Sequence, residues 1–287
     1  MANTQDIRRR IKSIRGTAQI TKAMQMVAAS KMRKAQQQAL AGRAYAEVMN
    51  KVLVSLQGRA EAKLHPLLAV REVKRELVIM ISTDKGLAGA LNTNLLREAA
   101  RFDEASTGYV SAGRKGRQFV VRTKRDLQAD FELKDAPMFS ETKPIALFAS
   151  EKFLAGEVDR VSVLYTHFIN TINQRPTVRT LLPITAFDLP QAEEGTSADP
   201  MLGYIFEPTA ERVLEAMLPY YLQYQIYQMV LDARASEHSA RMVAMKNATD
   251  NAQQFIKDLT LEYNKMRQAS ITTELLEIST AQMALGS

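Results

Sequence analysis

The chain of 287 residues is 46% hydrophobic and 24% charged, the balance of an ordinary soluble protein of one or two domains and against a disordered chain. It has no cysteine, which removes disulfides, thiolate metal sites and a cysteine nucleophile, and its three histidines stand apart at 65, 167 and 238, a poor basis for a metal centre. The net charge of +7 admits an acidic partner, and residues 1–43 concentrate it, with ten Lys or Arg against the single acid Asp6.

That basic arm contains no aromatic residue before Tyr45 to stack on bases, and no zinc-finger, helix-turn-helix or RNA-recognition pattern accompanies it, so its spacing argues for no nucleic-acid role. A solvated or protein-contacting face is the plainer reading. The opening MANTQDIRRRIKSIR lacks an apolar core and carries Asp6, which fits neither a secretory nor a mitochondrial leader, so the chain reads as mature and cytoplasmic. From Thr4 to Gln57 there is no proline, Asn3 or Thr4 suits an N-cap and Gly58 a stop, which predicts one helix of ~80 Å. Within it TKAMQMVAASKM (21–32) has apolar residues at successive angles of about 100° and no polar face. The run is far shorter than the ~20 apolar residues a bilayer needs, so protein must enclose it.

The middle, from about residue 73 to 190, changes period. ELVIMIS (76–82) reads as a buried strand, 86–101 as a helix, TGYVSAG (107–113) as a short strand and turn, 142–155 as a helix, and RVSVLYTHFI (160–169) and PTVRTLLPI (176–184) as strands. This alternation predicts an α/β layer with a mostly parallel sheet, a Rossmann-like domain inserted between the two chain ends. QAEEGTSADP (191–200) reads as a polar loop.

A second helix is predicted from Pro208 to about Leu285, with Pro219 as its one interior breaker. Met242, Met245, Thr249, Ala252, Ile256, Leu259, Tyr263 and Met266 keep alternating steps of three and four, a heptad seam. Ile7, Ile11, Ile14, Ala18, Thr21, Gln25, Ala28 and Met32 keep the same steps with smaller residues, which implies close backbone approach. Both helices attach to the same middle, so they pair antiparallel as a long coiled coil. Counting equal rise from Gln57 beside Thr209 sets Thr4 opposite Glu262 and Met24 opposite Met242, and leaves ~37 Å of the second helix without a partner. Past Met266 the seam turns polar, yet Ile271, Leu275, Leu276, Ile278, Met283 and Leu285 remain, and no Lys or Arg follows Arg267. This lone segment is expected inside another protein's sleeve. The division is 1–58 and 208–287 for the coiled coil and 73–190 for the α/β domain.

Chemistry-bearing patterns are sparse. TDKGLAGALN (83–92) is a Gly-rich strand-to-helix turn that matches neither GxGxxG nor GxxxxGK[ST], so a tight structural turn and an anion site both stay open. SAGRKGR (111–117) is a second Gly-basic turn of the same ambiguity. His167 falls in a strand and His238 on the coiled-coil seam, where interior histidines with structural partners are the plainer reading. No nucleophile with a base at readable spacing is present, and no cofactor is expected.

The segments IRRRIKSIRGTAQITKAMQMVAASKMRKAQ, ISTDKGLAGALNTN, FINTINQRPTVRTLLPI and ASEHSARMVAMKNATDNAQQFIKDLTLEYNKMRQASITTELLEI together resemble the gamma subunit of the F-type ATP synthase over essentially the whole chain. The central signature departs from the family at Ala90, where a glycine is usual, and the cysteine-bearing insert of chloroplast members is missing. The resemblance implies a rotor shaft, one copy per complex. Its coiled coil would stand in the hexamer of alpha and beta subunits and its foot would bind the epsilon subunit and the c-subunit ring, coupling proton flow to ATP synthesis or hydrolysis. It implies no catalytic residues in the chain, no cofactor, and a peripheral place on the cytoplasmic face of the bacterial inner membrane. By the same resemblance Lys22 and Met24 face the acidic lever loop of beta. Arg241 and Gln268 bond to its catch loops, Thr272 and Glu274 influence coupling, and Tyr204 and Glu207 lie near epsilon and the c ring. Two other readings are a phosphate-binding α/β enzyme, which needs a ligand at TDKGLAGALN, and a coiled-coil adaptor with a nucleic-acid arm.

Overall fold

A computed structural model describes residues 4–57, 65–184, 206–207 and 209–285. The predicted loop 191–200, Tyr204 and Pro208 lie outside the described residues. The elements are α1 (Thr4–Gln57), a 3-10 turn (Pro66–Leu68), β1 (Glu76–Ile81), α2 (Leu91–Ala99), β2 (Thr107–Ala112), α3 (Arg114–Arg122), β3 (Asp126–Phe131), α4 (Phe139–Leu154), β4 (Arg160–Phe168), β5 (Gln174–Leu182) and α5 (Ala210–Leu285). Two compact units emerge, Met1–Ala28 with Arg241–Ser287, and Ala29–Ala240.

In the larger unit five strands form one sheet in the order β3-β2-β1-β4-β5. β1 pairs parallel with β2 and β4, β2 pairs parallel with β3, and β5 returns antiparallel on β4. β1 is buried on both faces, as a central parallel strand must be, and its side chains alternate between two cores. Leu77, Ile79 and Ile81 join α4 and the basal turns of α1 and α5 through Leu53, Phe153, Leu218 and Tyr221. Val78 and Met80 join Leu95, Ala99 and Val120 of α2 and α3. The sheet is thus covered on both faces, as predicted for an α/β layer.

Three local readings need correction. SAGRKGR is not only a turn, because α3 begins at Arg114 with Gly113 as its N-cap at φ 125°. A Cβ on Gly113 would stand 2.3 Å from the Ser82 carbonyl oxygen, so this position requires glycine. β3 escapes the sequence reading because DLQADF is an edge strand whose alternate residues are exposed and polar. The helix predicted from 86 starts only at Leu91, since Leu87 and Gly89 adopt positive φ of 62° and 58° and hold the preceding turn out of helical geometry.

In the smaller unit the heptad seam holds. Ile7, Ala18, Thr21 and Ala28 of α1 are buried, as are Met245, Thr249 and Ala252 of α5, and the remaining predicted seam positions up to Met266 are partly buried. Thr21 and Thr249 share a hydrogen bond of 2.7 Å between their hydroxyls, so the seam's polar members satisfy one another. This contact corrects the register by about one turn. Counting from the attached ends sets Thr21 beside Met245, whereas the threonine pair carries Thr4 level with Met266 and Met24 level with Lys246. The starting alignment of Gln57 with Thr209 is the assumption that fails, because interlocking side chains set the register at the seam. The shift explains why Met266 is the last partly buried residue and every position from Arg267 to Gln282 is exposed. The shift shortens the unpaired part of the second helix by four residues, or ~6 Å, and leaves Arg267 to Leu285, ~28 Å of helix, without a partner in α1.

Candidate partner-contact surfaces

The stretch 21–32 has two apolar sides of different fate. Thr21 and Ala28 face the seam, while Ile20, Met26 and Val27 are 63%, 60% and 55% exposed and Ala23 is exposed beside them. Lys22 is exposed and Met24 partly buried, as expected of residues about 200° apart on a helix, so the two do not share one face. Towards the N-terminus Arg8, Arg9, Arg10, Lys12 and Arg15 are all exposed.

On α5, Arg241 is partly buried and Gln268, Thr272 and Glu274 are exposed. Gln268 and Thr272 stand one turn apart, with the Thr272 hydroxyl donating to the Gln268 carbonyl at 2.9 Å, and Glu274 points to another side. Ile271, Leu275 and Ile278 form an exposed apolar stripe at helical spacing, with Leu276 beside it. A hydrophobic stripe left in water costs about 25 cal/mol per Å² of area that burial would recover, so this surface favours a covering partner. Glu207 is exposed at a bend ahead of α5, and Tyr204 is outside the described residues.

The Gly-rich turn is tied down at its first residue, Thr83, while α2 opens from Ala90 without a side-chain cap. The single Thr83 hydroxyl proton is shared between the Lys85 carbonyl at 2.8 Å and Asn92 Oδ1 at 2.9 Å. At the head of α3 the Arg114 N–H donates to Asp84 Oδ1, the Lys115 N–H to the Thr83 carbonyl and the Gly116 N–H to Ser82 Oγ. A carboxylate of the chain occupies the place where this helix end would hold a phosphate. For SAGRKGR, at the head of α3, the geometry supports the structural turn.

The histidines have local partners. His65 Nδ1 accepts from the Leu67 N–H at the 3-10 turn, and burial pushes the imidazole pKa down against an opposing pull from Glu215. His167 Nδ1 meets Asp232 Oδ2, and the Phe168 N–H donates to Asp232 Oδ1 at 2.9 Å. Burial raises the Asp232 pKa, with His167 and that N–H pulling the other way. His238 is buried in the larger unit with Nε2 at 3.2 Å from Asp135 Oδ1. Among the described residues no cluster of three His, Asp or Glu could hold a metal, and no helix is long and apolar enough to cross a membrane.

Sequence reasoning missed a set of buried charges. Arg234 Nη1 bonds Glu237 Oε2 at 2.8 Å, and Nη2 reaches the Leu133 carbonyl at 2.9 Å and Asp84 Oδ2 at 3.5 Å. Asp135 also accepts from Lys31 of α1. Burial opposes charge on Asp135, yet Lys31, His238 and Arg234 together hold its carboxyl below the ordinary range. The sequence offered one signal, an Arg and a Glu three apart on a helix. Leu133 and Asp84 lie 101 and 150 residues away and leave no local trace.

Comparison with known proteins decides the family. The ATP synthase family model matches residues 3–285. The ATP synthase gamma chain of Methylacidiphilum infernorum is 52% identical over 293 residues, covering 100% of both chains, and that of Opitutus terrae is 51% identical over 295 residues with the same coverage. The chain belongs to the ATP synthase gamma-chain family. Among solved structures, the central stalk and c-ring of the Tetrahymena thermophila mitochondrial ATP synthase contain a chain that is 29% identical with a TM-score of 0.62, over 80% of this chain and 99% of that one. A chain of the Euglena gracilis mitochondrial ATP synthase shares the fold at 19% identity and a TM-score of 0.67, over 98% and 94%.

Proposed function

We propose that this chain is the central-stalk rotor subunit of a proton-translocating F-type ATP synthase, carrying torque between the c-subunit ring and the three catalytic beta sites. The observation that carries this is the end of α5. A helix that loses its partner at Met266 and continues with Ile271, Leu275, Leu276 and Ile278 exposed, and with no Lys or Arg after Arg267, is suited to turn inside an apolar collar. The exposed cations of α1 suit acidic loops of beta, through charge-assisted contacts that break and reform at short range.

In this reading segments 1–58 and 208–287 form the shaft and 73–190 the body, and the chain supplies no catalytic residue or cofactor site. Lys22 and Met24 meet the beta lever. Arg241 and Gln268 meet its catch loops, Thr272 and Glu274 tune coupling, and Tyr204 and Glu207 meet the epsilon subunit and the c ring. The subunit is peripheral, on the cytoplasmic face of the bacterial inner membrane, one copy per complex. Co-expression with its neighbouring subunits tests this directly. A stable complex with three alpha, three beta and one copy of this chain is expected, and a chain that purifies alone would overturn the reading.

A further inference from the structure

In doubly wound sheets the ligand crevice opens at the carboxyl ends of the strands, where the strand order reverses, here between β1 and β4. That edge is occupied by the chain's own helix. Along one side of α5, Asp232 bonds His167 and the Phe168 N–H, Ser236 Oγ donates to the Thr166 carbonyl at 2.9 Å, and Ser239 Oγ donates to the Thr171 carbonyl at 2.9 Å. These positions fall at i, i+4 and i+7, one helical face turned to the end of β4 and the turn that follows it. Arg234 and His238, with Glu237 between them, form a second face, about 200° round from Asp232, that grips the other flank. Arg234 reaches the Leu133 carbonyl and Asp84, and His238 reaches Asp135, which also holds Lys31.

The segment is enclosed all round. Every residue from Ala233 to Ser239 is buried, with Ser236 and Ser239 at 0% and Arg234 at 4% exposure. Stability alone is a poor reason for such an arrangement. Buried ion pairs seldom improve on an apolar packing, and Arg234 Nε finds no hydrogen-bond partner among the described residues. A purely hydrophobic stripe would hold the helix against the sheet but resist rotation about the helix axis weakly, since dispersion contacts are non-directional. Hydrogen bonds on two opposed faces are directional, and turning the helix breaks both sets.

We infer that residues 232–239 of α5 are a keyed joint, in which the α/β unit grips the shaft through the crevice other doubly wound folds use for ligands, with Arg234 as its principal positioning residue. The TDKGLAGALN turn then serves as one jaw, with Asp84 directed at the shaft rather than at a phosphate. The inference rests on the rotor reading, and it predicts torsional slack when the key is loosened.

The test uses the assembled complex with the hexamer fixed to a surface and a gold rod attached through Ile172→Cys, a position that is 86% exposed in a chain with no other cysteine. The angular variance of the rod is recorded with the rotor stalled in the absence of nucleotide. Glu237→Gln, which leaves Arg234 buried without its nearest counter-charge, should raise the variance about twofold or more, and Arg234→Lys should give a smaller rise because one ammonium cannot reproduce the fork. Arg122→Gln, on the exposed end of α3, should leave it unchanged. If Glu237→Gln does not assemble, Asp84→Asn carries the same test, since its amide oxygen still accepts from the Arg114 N–H while the charge facing Arg234 is gone. Wild-type variance in the first of these variants that assembles would overturn the joint. A wild-type complex that hydrolyses ATP without any rod rotation would instead overturn the rotor reading.

Discussion

The two compact units invert each other's use of polarity. In the unit Ala29–Ala240 large apolar residues fill the interior and a set of charges is buried with them, whereas in the hairpin unit the seam is made of Ala, Thr and a few larger residues, and large apolar groups face outwards. A core of Leu and Ile with Arg234 and Glu237 inside it fixes one arrangement. A narrow seam with Met26, Val27, Leu275 and Ile278 on its outside leaves large apolar groups in contact with solvent. Exposed apolar residues occur on both units, Val70 and Ile172 of the larger one among them, so what sets the hairpin apart is its narrow seam of small residues.

This contrast can be broken from either side. The largest effect belongs to the body. Ile79→Ala, at a fully buried position of the central strand, should cost about 2–5 kcal/mol, read as a lowered midpoint in urea at unchanged slope. In the hairpin, Thr249→Val keeps volume but removes a hydroxyl and leaves Thr21 facing a methyl group. It should cost about 1 kcal/mol, read by hydrogen exchange of the α1 and α5 amides near the seam. Truncation after Met266 should leave the folded α/β unit's midpoint unchanged while reducing assembly with the hexamer or ATP-driven pumping, and a truncated chain that fails to fold would show that the tail is not a lone helix. Leu275→Asp should shift the free chain's stability by no more than about 0.5 kcal/mol, yet impair pumping in the complex.

The smallest expected effect concerns pH. The Asp135 carboxyl is held below its ordinary pKa, so the folded state favours its charged form. Its contribution is present above the unfolded pKa and is lost as pH falls through the lower folded value. Asp135→Asn should therefore flatten part of the acid-side loss of stability of the larger unit, below about pH 4, and identical acid titrations of the two proteins would contradict that assignment.

What could be read from the sequence follows the range of the forces involved. The seam is legible because Met245, Thr249, Ala252 and Ile256 repeat locally, and the central strand because LVIMI (77–81) is continuous and apolar. β3 was hidden by its polar edge pattern, and α3 by Gly116, which lies so close to Met80, Ser82 and Ser111 that no larger residue fits without movement. The register differs by a turn because it was counted from Gln57 and Thr209 at the attached ends, and no residue pattern sets those two level. The grip of Asp84 and Leu133 on Arg234 spans separations of 150 and 101 residues, which no local pattern encodes. The partner residues Lys22, Met24, Arg241, Gln268, Thr272 and Glu274 rest on family resemblance; four of them are exposed, while Met24 and Arg241 are partly buried.

The most direct test of the rotor account is rotation itself. With the hexamer immobilised and the rod on Ile172→Cys, addition of ATP should drive continuous rotation in one direction with three pauses per turn, one for each beta site. Sustained ATP hydrolysis with a stationary rod would contradict it.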